Sequence, residues 1–253
     1  MAWNRFIERT ISTIGLALLI FGRTSAQVIP MENNPIGGPG QPLTIEVWSD
    51  VVCPFCYIGK RELENALERF PHKDSVRVVW KSFELDPEAP ARAEQDTYGM
   101  LSERYGMTRE QAKQRVDAVV QRAATVGLTY HFERVIVGHS FDAHRLLQFA
   151  KTKGKGDGMK EHLFKAYFTE GRHLADRATL AALATEVGLD AKEVDALLST
   201  DAFTEAVRAD EAGATGLGIS GVPFFVFDRR LAVSGAQSAG VFRQALQQAW
   251  DAR

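Results

Sequence analysis

Residues Thr44 to Lys60 read TIEVWSDVVCPFCYIGK, and within this stretch a strand pattern changes to a helix pattern at a C-x-x-C pair. The apolar residues before the pair alternate as in a short buried strand, and Pro54 to Phe70 carries apolar residues at helical spacing. Cys53 and Cys56, the only cysteines of the chain, are therefore predicted to lie where the strand ends and the helix begins. This placement is typical of a redox-active dithiol.

The proline between the cysteines predicts which of them reacts first. Proline disfavours a helical conformation in the preceding residue and is welcome at the first helical position, so Pro54 makes Cys53 the expected N-cap. The Cys53 sulfur is then expected to accept hydrogen bonds from the backbone N–H groups of Phe55 and Cys56 and to feel the positive end of the helix dipole. Both effects favour the thiolate, which predicts a lowered pKa for Cys53 as the attacking thiol and leaves Cys56 to resolve the mixed disulfide.

The sequence supports two other interpretations of the cysteine pair less well than it supports a redox-active dithiol. A structural zinc site needs about four ligands, and with two cysteines it would have to recruit histidines, none of which are paired at finger-like spacing. No metal is therefore expected. A structural disulfide, or two unreactive core thiols, would require neither Pro54 nor the position between strand and helix.

The composition is typical of a globular protein. The chain has 253 residues, 45% of them hydrophobic, and a formal net charge of -2 with both signs mixed, so it has no basic surface for nucleic acid. Two cysteines are too few for a disulfide-stapled scaffold. The composition leaves the oligomeric state open.

The first 42 residues allow two interpretations. Arg5 and Arg9, the apolar run Ile11 to Phe21 and the small residues before Gln27 resemble a secretory signal peptide that is cut after Ala26. The apolar run is too short to span a bilayer, so no stable membrane span is expected. Alternatively the protein starts at Met31, with a short tail before the first strand; this second interpretation is slightly favoured and predicts a cytoplasmic protein.

The rest of the chain divides into three segments. Residues 43–86 predict strand, helix, strand; residues 87–218 predict only helices; residues 219–253 predict two strands and a final helix. The helical segment thus interrupts an α/β unit. The last strands are expected to join the first two in one sheet, because otherwise both pieces would be left with unpaired edges.

Further candidate site residues lie on either side of the cysteines and at the returning strand. Val222 and Pro223 begin that strand; the residues leave the isomer of their peptide bond open, and a cis bond would present the Val222 backbone to an extended substrate. Asp50 is a candidate proton relay to Cys56 if it is buried, and otherwise a cap for the turn. Near His144, the sequence predicts a helix that starts with Ser140 as its N-cap.

Four stretches together resemble the FrnE branch of the DsbA-like thioredoxin superfamily: SDVVCPFCYIGK, GLTYHFERVIVGHSFDAHRLLQFA, EGRHLADRATLAALATEVGLD and SGVPFFVFDRRLAVSGAQSAGVFRQAL. The resemblance covers about residues 43–250. It implies an α/β fold of the thioredoxin type, split by a large all-helical insertion. It also implies that Cys53 is the nucleophile, Cys56 the resolving thiol and Pro223 a cis-proline facing them, with Pro54, Phe55 and Val222 beside the substrate.

The resemblance implies a thiol-disulfide oxidoreductase that acts on protein or small-molecule thiols without a dissociable cofactor, with glutathione as a candidate co-substrate. Two alternatives stay open. Kappa-class glutathione transferases and hydroxychromene carboxylate isomerases resemble the same split fold but usually carry serine at the nucleophile position. A non-enzymatic peptide-binding module would keep its function without Cys53.

Overall fold

The computed structural model describes residues 28–31, 37–38 and 40–253. The signal-like run and the cut site after Ala26 lie outside these residues. The strands are β1 (Val28–Pro30), β2 (Leu43–Ser49), β3 (Val76–Ser82), β4 (Phe224–Phe227) and β5 (Leu231–Ser234). The helices are α1 (Pro54–Glu68), α2 (Thr97–Tyr105), α3 (Arg109–Ala124), α4 (Phe141–Thr152), α5 (Gly156–Phe168), α6 (Arg177–Glu186), α7 (Ala191–Leu198), α8 (Thr204–Gly216) and α9 (Ala239–Asp251).

The strands of the described residues form one sheet in the order β1-β5-β4-β2-β3. β2 and β3 are parallel, whereas β4 runs antiparallel to β2 and pairs Phe227 with Ile45 and Phe224 with Trp48. β5 is antiparallel to β4, and β1 to β5. The expectation that the returning strands join the first two is confirmed. The fold is α/β and thioredoxin-like, with an all-helical insertion between β3 and β4.

The two faces of the sheet are covered by different parts of the chain. α1 and α9 pack on one face, where Ile45, Val47 and Phe225 are fully buried together with Leu63 of α1 and Phe242 of α9. On the other face, Trp48, Val226 and Ala232 pack with Ala214 of α8 and with Ile219. α8 is the last helix of the insertion, so the chain is back at the sheet when the insertion ends.

A buried aspartate fastens the insertion to this second face. The carboxylate of Asp210 on α8 accepts hydrogen bonds from the Ser82 backbone N–H at 2.9 Å, from Lys81 Nζ at 2.9 Å and from Gln148 Nε2 at 2.6 Å. Its backbone carbonyl accepts from Trp48 Nε1 at 2.8 Å. These bonds satisfy a carboxylate that burial would otherwise penalise, and they connect β2, β3 and α4 to α8.

The cysteines belong to the hydrophobic core of the helical segment. Cys53 and Cys56 pack in one cluster with Leu146 of α4, Phe164 of α5 and Leu183 of α6. The helical insertion therefore covers the dithiol that the sheet and α1 carry.

Tertiary contacts set the end of β3. β3 ends at Ser82, and three residues later the Leu85 backbone N–H donates to Asp50 Oδ2 at 2.8 Å. No helix among the described residues is long and apolar enough to cross a bilayer.

β1 was missed in the sequence, where residues 28–30 fall in the N-terminal tail. Val28 pairs with Val233 and Pro30 with Leu231, so β1 extends the sheet beyond β5. A three-residue strand that ends in proline has no periodic pattern of its own, and edge strands tolerate proline. Only the partner strand makes this segment a strand.

Gly59 sets the distance between α1 and β4. A Cβ atom at this position would lie 3.0 Å from Phe225 Cζ and 3.1 Å from Pro223 Cγ, and both of these side chains are buried. The absence of a side chain therefore allows the helix that follows the cysteines to pack directly on the strand that follows Val222.

We expect Gly59→Ala to lower the free energy of unfolding by about 1–3 kcal/mol, the usual cost of overpacking. Helix propensity alone would make alanine stabilising by about 1 kcal/mol relative to glycine. A loss of stability would therefore come from the close contact of the new methyl group with Phe225 and Pro223. Gly240→Ala on α9 is the matched control, because the nearest atom to its new Cβ is Ser238 Oγ at 3.6 Å. Urea denaturation of both variants checks this, and a Gly59→Ala midpoint at or above the wild-type value would contradict it.

Candidate active site

Cys53 and Cys56 lie where the sequence places them, at the junction between the loop after β2 and α1. Cys53 has extended backbone angles (φ -92°, ψ 115°), and Pro54 is the first residue of the helix. Both cysteines are free thiols with 4% and 1% of their surface exposed. Within the described residues, no group of three or more His, Cys, Asp or Glu side chains is arranged to hold a metal ion.

The Cys53 side chain does not cap the helix, which corrects the sequence expectation. It makes no capping hydrogen bond to the first turn of α1. The thiol points across to the returning chain instead, where Cys53 Sγ donates to the Val222 carbonyl oxygen over 3.7 Å. The N-cap position was thus predicted correctly, but the direction of the sulfur was not.

The predicted lowering of the Cys53 pKa is also wrong for this dithiol state. The hydrogen bond with the Cys56 sulfur, then burial, then negative charge on Cys56 raise the pKa of Cys53 well above its ordinary value. The negative charge of Asp50 acts in the same direction. The Cys56 backbone N–H, at the start of the helix, lowers the pKa of Cys53, but the effects of the Cys56 sulfur and of burial outweigh it.

Val222 and Pro223 come to the cysteines because β4 runs antiparallel to β2. Val222 lies two residues before β4 and is half-buried, and its peptide bond to Pro223 is cis. Val222 lies outside the strand pairs of the sheet, so its backbone is not part of the β4 ladder. The structure thus brings Cys53 and Val222, which are 169 residues apart in sequence, into direct contact.

The two residues between the cysteines differ in their surroundings. Pro54 and Phe55 are both half-buried, and the Pro54 carbonyl accepts a hydrogen bond from the Tyr130 hydroxyl at 2.8 Å. Phe55 packs against the core of the helical segment. Burial, together with the negative charges of the nearby thiolates, raises the pKa of Tyr130, so its hydroxyl stays protonated and keeps this bond.

Asp50 is completely buried and acts as a hydrogen-bond acceptor. Oδ1 accepts from the Val52 backbone N–H at 3.2 Å, and Oδ2 from the Leu85 backbone N–H at 2.8 Å. Burial alone would raise the pKa of Asp50, but hydrogen bonds from His144, Leu85 and Ser140 outweigh it and hold the pKa below its usual value. Asp50 therefore caps the turn as a carboxylate, and it is buried as the relay hypothesis requires.

His144 was not predicted to belong to the site. Its Nε2 lies 3.2 Å from Asp50 Oδ1, and neither residue is exposed to solvent. The predicted helix start is confirmed, since α4 begins at Phe141, but Ser140 makes no capping hydrogen bond, and its hydroxyl is directed to Asp50 instead. The pairing of His144 with Asp50 spans 94 residues and leaves no signal in the local sequence.

Lys160 was missed as well. It lies on α5 without any exposed surface, and its Nζ donates to the Ser49 carbonyl oxygen at 3.2 Å, directly before Asp50. A lysine in the middle of an apolar helix face was the one available sign. Such a residue is usually solvent-exposed at its tip, so the sequence alone did not single it out.

Comparison with known proteins agrees with this fold. The model of the DSBA-like thioredoxin domain matches residues 44–247, and the chain belongs to this family. A curated relative, the uncharacterized protein YwbO of Bacillus subtilis, is 30% identical over 204 residues, which cover 80% of this chain and 94% of YwbO.

Solved structures show the same architecture. The chain is similar to a probable DsbA oxidoreductase from Streptomyces coelicolor, with 46% identity and a TM-score of 0.81 over 83% of this chain and 91% of that one. It also resembles the fold of a cytosolic disulfide reductase, DsbM, from Pseudomonas aeruginosa, with 20% identity and a TM-score of 0.58 over 83% of this chain and all of that one (100%).

We expect Cys56→Ala to lower the pKa of Cys53, because it removes the hydrogen bond to the Cys56 sulfur and the negative charge on that sulfur, which both raise this pKa. Cys53 should then react faster with iodoacetamide between about pH 7 and 8.5, where more of it becomes thiolate. Alkylation followed by peptide mass spectrometry compares Cys53 in the reduced wild type and in the variant. If Cys53 reacts equally fast in both proteins, Cys56 does not raise the pKa of Cys53.

Proposed function

We propose that this protein is a thiol-disulfide oxidoreductase in which Cys53 is the nucleophile and Cys56 the resolving thiol. The observation that carries the proposal is the contact between Cys53 and the Val222 carbonyl, 3.7 Å apart, at the N-terminus of α1. It supports the proposal because Val222 lies outside the strand pairs of the sheet, beside the proposed nucleophile. Membership of the DSBA-like thioredoxin family supports the same reaction class.

The exchange would take place in two balanced steps. In the first, the Cys53 thiolate attacks a substrate disulfide; a bond forms between Cys53 and one substrate sulfur, and the other substrate sulfur leaves as a thiolate. In the second, Cys56 loses its proton and attacks Cys53, so that the internal disulfide forms and the second substrate thiolate is released. The substrate gains two electrons and the protein dithiol loses them. The reverse sequence oxidises a substrate dithiol.

The substrate would lie along the Val222 backbone. An extended peptide next to its disulfide can hydrogen-bond to backbone groups that lie outside the strand ladder, which gives affinity for many sequences. Pro54, Phe55 and Pro223 would contact its apolar side chains. Small thiols fit the same chemistry, and glutathione is one candidate. No dissociable cofactor is needed, because the two sulfurs carry both electrons.

The finer assignment within the family is also a proposal. The motif around Cys53 and Cys56 and the stretch beginning at Gly221 support the FrnE-like branch. Phe55 takes the place of the tryptophan that many FrnE-like chains carry between the cysteines, and it keeps that position apolar.

Two serine variants test the reaction. Cys53→Ser should lower the rate of disulfide reduction, measured with insulin and dithiothreitol, by at least about 100-fold, because the attacking atom is gone. Cys56→Ser should still attack but should accumulate a mixed disulfide with the substrate, visible by mass spectrometry under non-reducing conditions.

The same pair of variants separates the alternatives. If Cys53→Ser keeps full function, the chain is a binding module and the proposal is wrong. If the wild type joins glutathione to an electrophile, or isomerises one, without ever forming an internal disulfide, the protein belongs with the transferases and isomerases of the same fold.

We further propose the cytoplasm as the location, with the chain starting at Met31. N-terminal sequencing of protein from its native cell should find Met31 or Glu32 first. A chain that starts at Gln27 would instead indicate export. β1 makes the outcome structurally informative, because a start at Met31 removes Val28–Pro30 and leaves β5 as an edge strand, whereas a start at Gln27 keeps β1.

A further inference from the structure

β3 lies at one end of the sheet, so only one of its edges pairs with another strand of the described residues. Residues of a strand direct their backbone N–H and C=O groups alternately to the two edges. The Trp80 carbonyl oxygen accepts from Lys151 Nζ at 2.9 Å. The Ser82 N–H donates to the Asp210 carboxylate at 2.9 Å. The even-numbered residues of β3 therefore direct their backbone groups away from β2.

Part of this outer edge is open. In the described part of the chain, the Val76 carbonyl oxygen, both backbone groups of Val78 and the Trp80 N–H have no hydrogen-bond partner. The Val76 N–H is already bonded, because it donates to the Lys73 carbonyl oxygen at the end of a short 3₁₀ turn. Unpaired groups on the edge of a sheet are a template for a further strand.

The open groups are complementary to a second copy of themselves. In an antiparallel pair, two opposing residues exchange both of their N–H···O=C bonds, and the next such pair lies two residues further along each strand. A two-fold axis at Val78 places Val78 opposite Val78 of the second copy, and Trp80 opposite Val76. The open groups then form four bonds between the copies. The groups left over, the Val76 N–H and the Trp80 carbonyl oxygen, are those already bonded within each copy.

The side chains agree with this register. Val76, Val78 and Trp80 belong to the apolar cluster on the face of the sheet that α1 covers. Val76 and Val78 are only half-buried, so they leave apolar surface for a neighbouring strand. Trp80 lies opposite Val76 of the second copy, and pairs of an aromatic and a β-branched side chain stabilise antiparallel strands.

There is room beside the open edge. A cavity of about 410 Å³ borders Val78 and Trp80, and Leu63 and Leu67 of α1 form part of its wall. Gly154 also lines the cavity, and a Cβ atom at Gly154 would meet no other atom within 4 Å. Side chains that a second β3 directs to the α1 face can therefore enter this space.

The charges around the cavity also suit a second copy. Its border carries the cations Lys60, Arg77 and Lys151 and the anions Glu64 and Asp157. A border with one sign of charge would repel its own copy and favour an oppositely charged partner. A border with both signs is compatible with itself. The register places Arg77 opposite the uncharged residue at position 79, so two arginines do not face each other directly.

We propose that two copies of this chain form a dimer by antiparallel pairing of their β3 strands about Val78. The two five-stranded sheets then join into one. Because the paired strands run in opposite directions, the ends of the two β2 strands, which lead to Cys53, lie at opposite ends of the joined sheet. The two candidate active sites are therefore separate from each other in the dimer.

Sedimentation equilibrium of the full chain tests the dimer. The mass of the wild type should rise with concentration toward twice the mass of one chain. Val78→Pro removes an outward N–H and leaves the ladder with β2 intact, and edge strands tolerate proline. The dimer loses two of its four backbone bonds, one from each copy, so we expect its dissociation constant to rise about 10- to 100-fold.

Val78→Ala is the matched control, because it shortens the same side chain and keeps the N–H. It should weaken the dimer much less than Val78→Pro does. Circular dichroism of both variants checks that the fold is retained. The proposal is overturned if Val78→Pro dimerises like the wild type, or if both variants weaken the dimer equally.

A cross-linking experiment covers the case in which Val78→Pro does not fold. In a chain whose own cysteines are replaced by serine, Val78→Cys should give a covalent dimer with a short bis-maleimide. Ile29→Cys on β1, the other outer strand, is the control and should stay largely monomeric, although Ile29 is 40% exposed. Equal cross-linking at both positions would contradict the proposed interface.

A wild type that stays monomeric at every concentration also overturns the proposal, and the Val78→Cys thiol then shows what occupies the edge. A thiol that reacts freely with a monofunctional maleimide would indicate an edge left for a different partner. A protected thiol would indicate that another part of this chain covers β3.

Discussion

The Asp50 carboxylate is completely buried, and its hydrogen bonds hold the two parts of the molecule together at the candidate site. It accepts from Val52 in the turn that leads to Cys53, from Leu85 after β3, and it lies 3.2 Å from His144 on α4. A buried carboxylate left without these donors would pay the full cost of losing its water. The turn before Cys53, the chain after β3 and helix α4 of the insertion therefore all contact Asp50. These contacts fix the position of the turn that leads to the cysteines.

Charge balance follows from the same burial. The hydrogen bond with the Cys56 sulfur, burial and the negative charge of Asp50 all raise the pKa of Cys53. Lys160 is a buried lysine whose Nζ donates to the Ser49 carbonyl oxygen, next to Asp50. In a medium of low polarity these charges act strongly on one another, so each proton lost or gained in the proposed exchange affects its neighbours.

The split of the thioredoxin fold serves the site in two ways. The insertion brings α4 and α5 to the residues between β2 and Cys53, where His144 lies 3.2 Å from Asp50 and Lys160 donates to the Ser49 carbonyl oxygen. The chain then returns through α8, which Asp210 fastens to the sheet, and β4 enters antiparallel to β2. That return places Val222 against Cys53, with Gly59 allowing close packing of helix and strand.

From residue 43 onward, the sequence by itself determined the order of strands and helices, the helical insertion and the position of the cysteines at the start of α1. These features depend on local patterns: alternation before Cys53, helical spacing after Pro54, and strand residues that return near Phe224. Only the tertiary structure decided where the Cys53 sulfur points and which polar groups surround it. The bonds from Cys53 to Val222, from Lys160 to Ser49 and between His144 and Asp50 span 169, 111 and 94 residues. A local pattern shows which face of an element is apolar, but the meeting of two distant polar side chains depends on how the elements pack, and that packing set the protonation of the site.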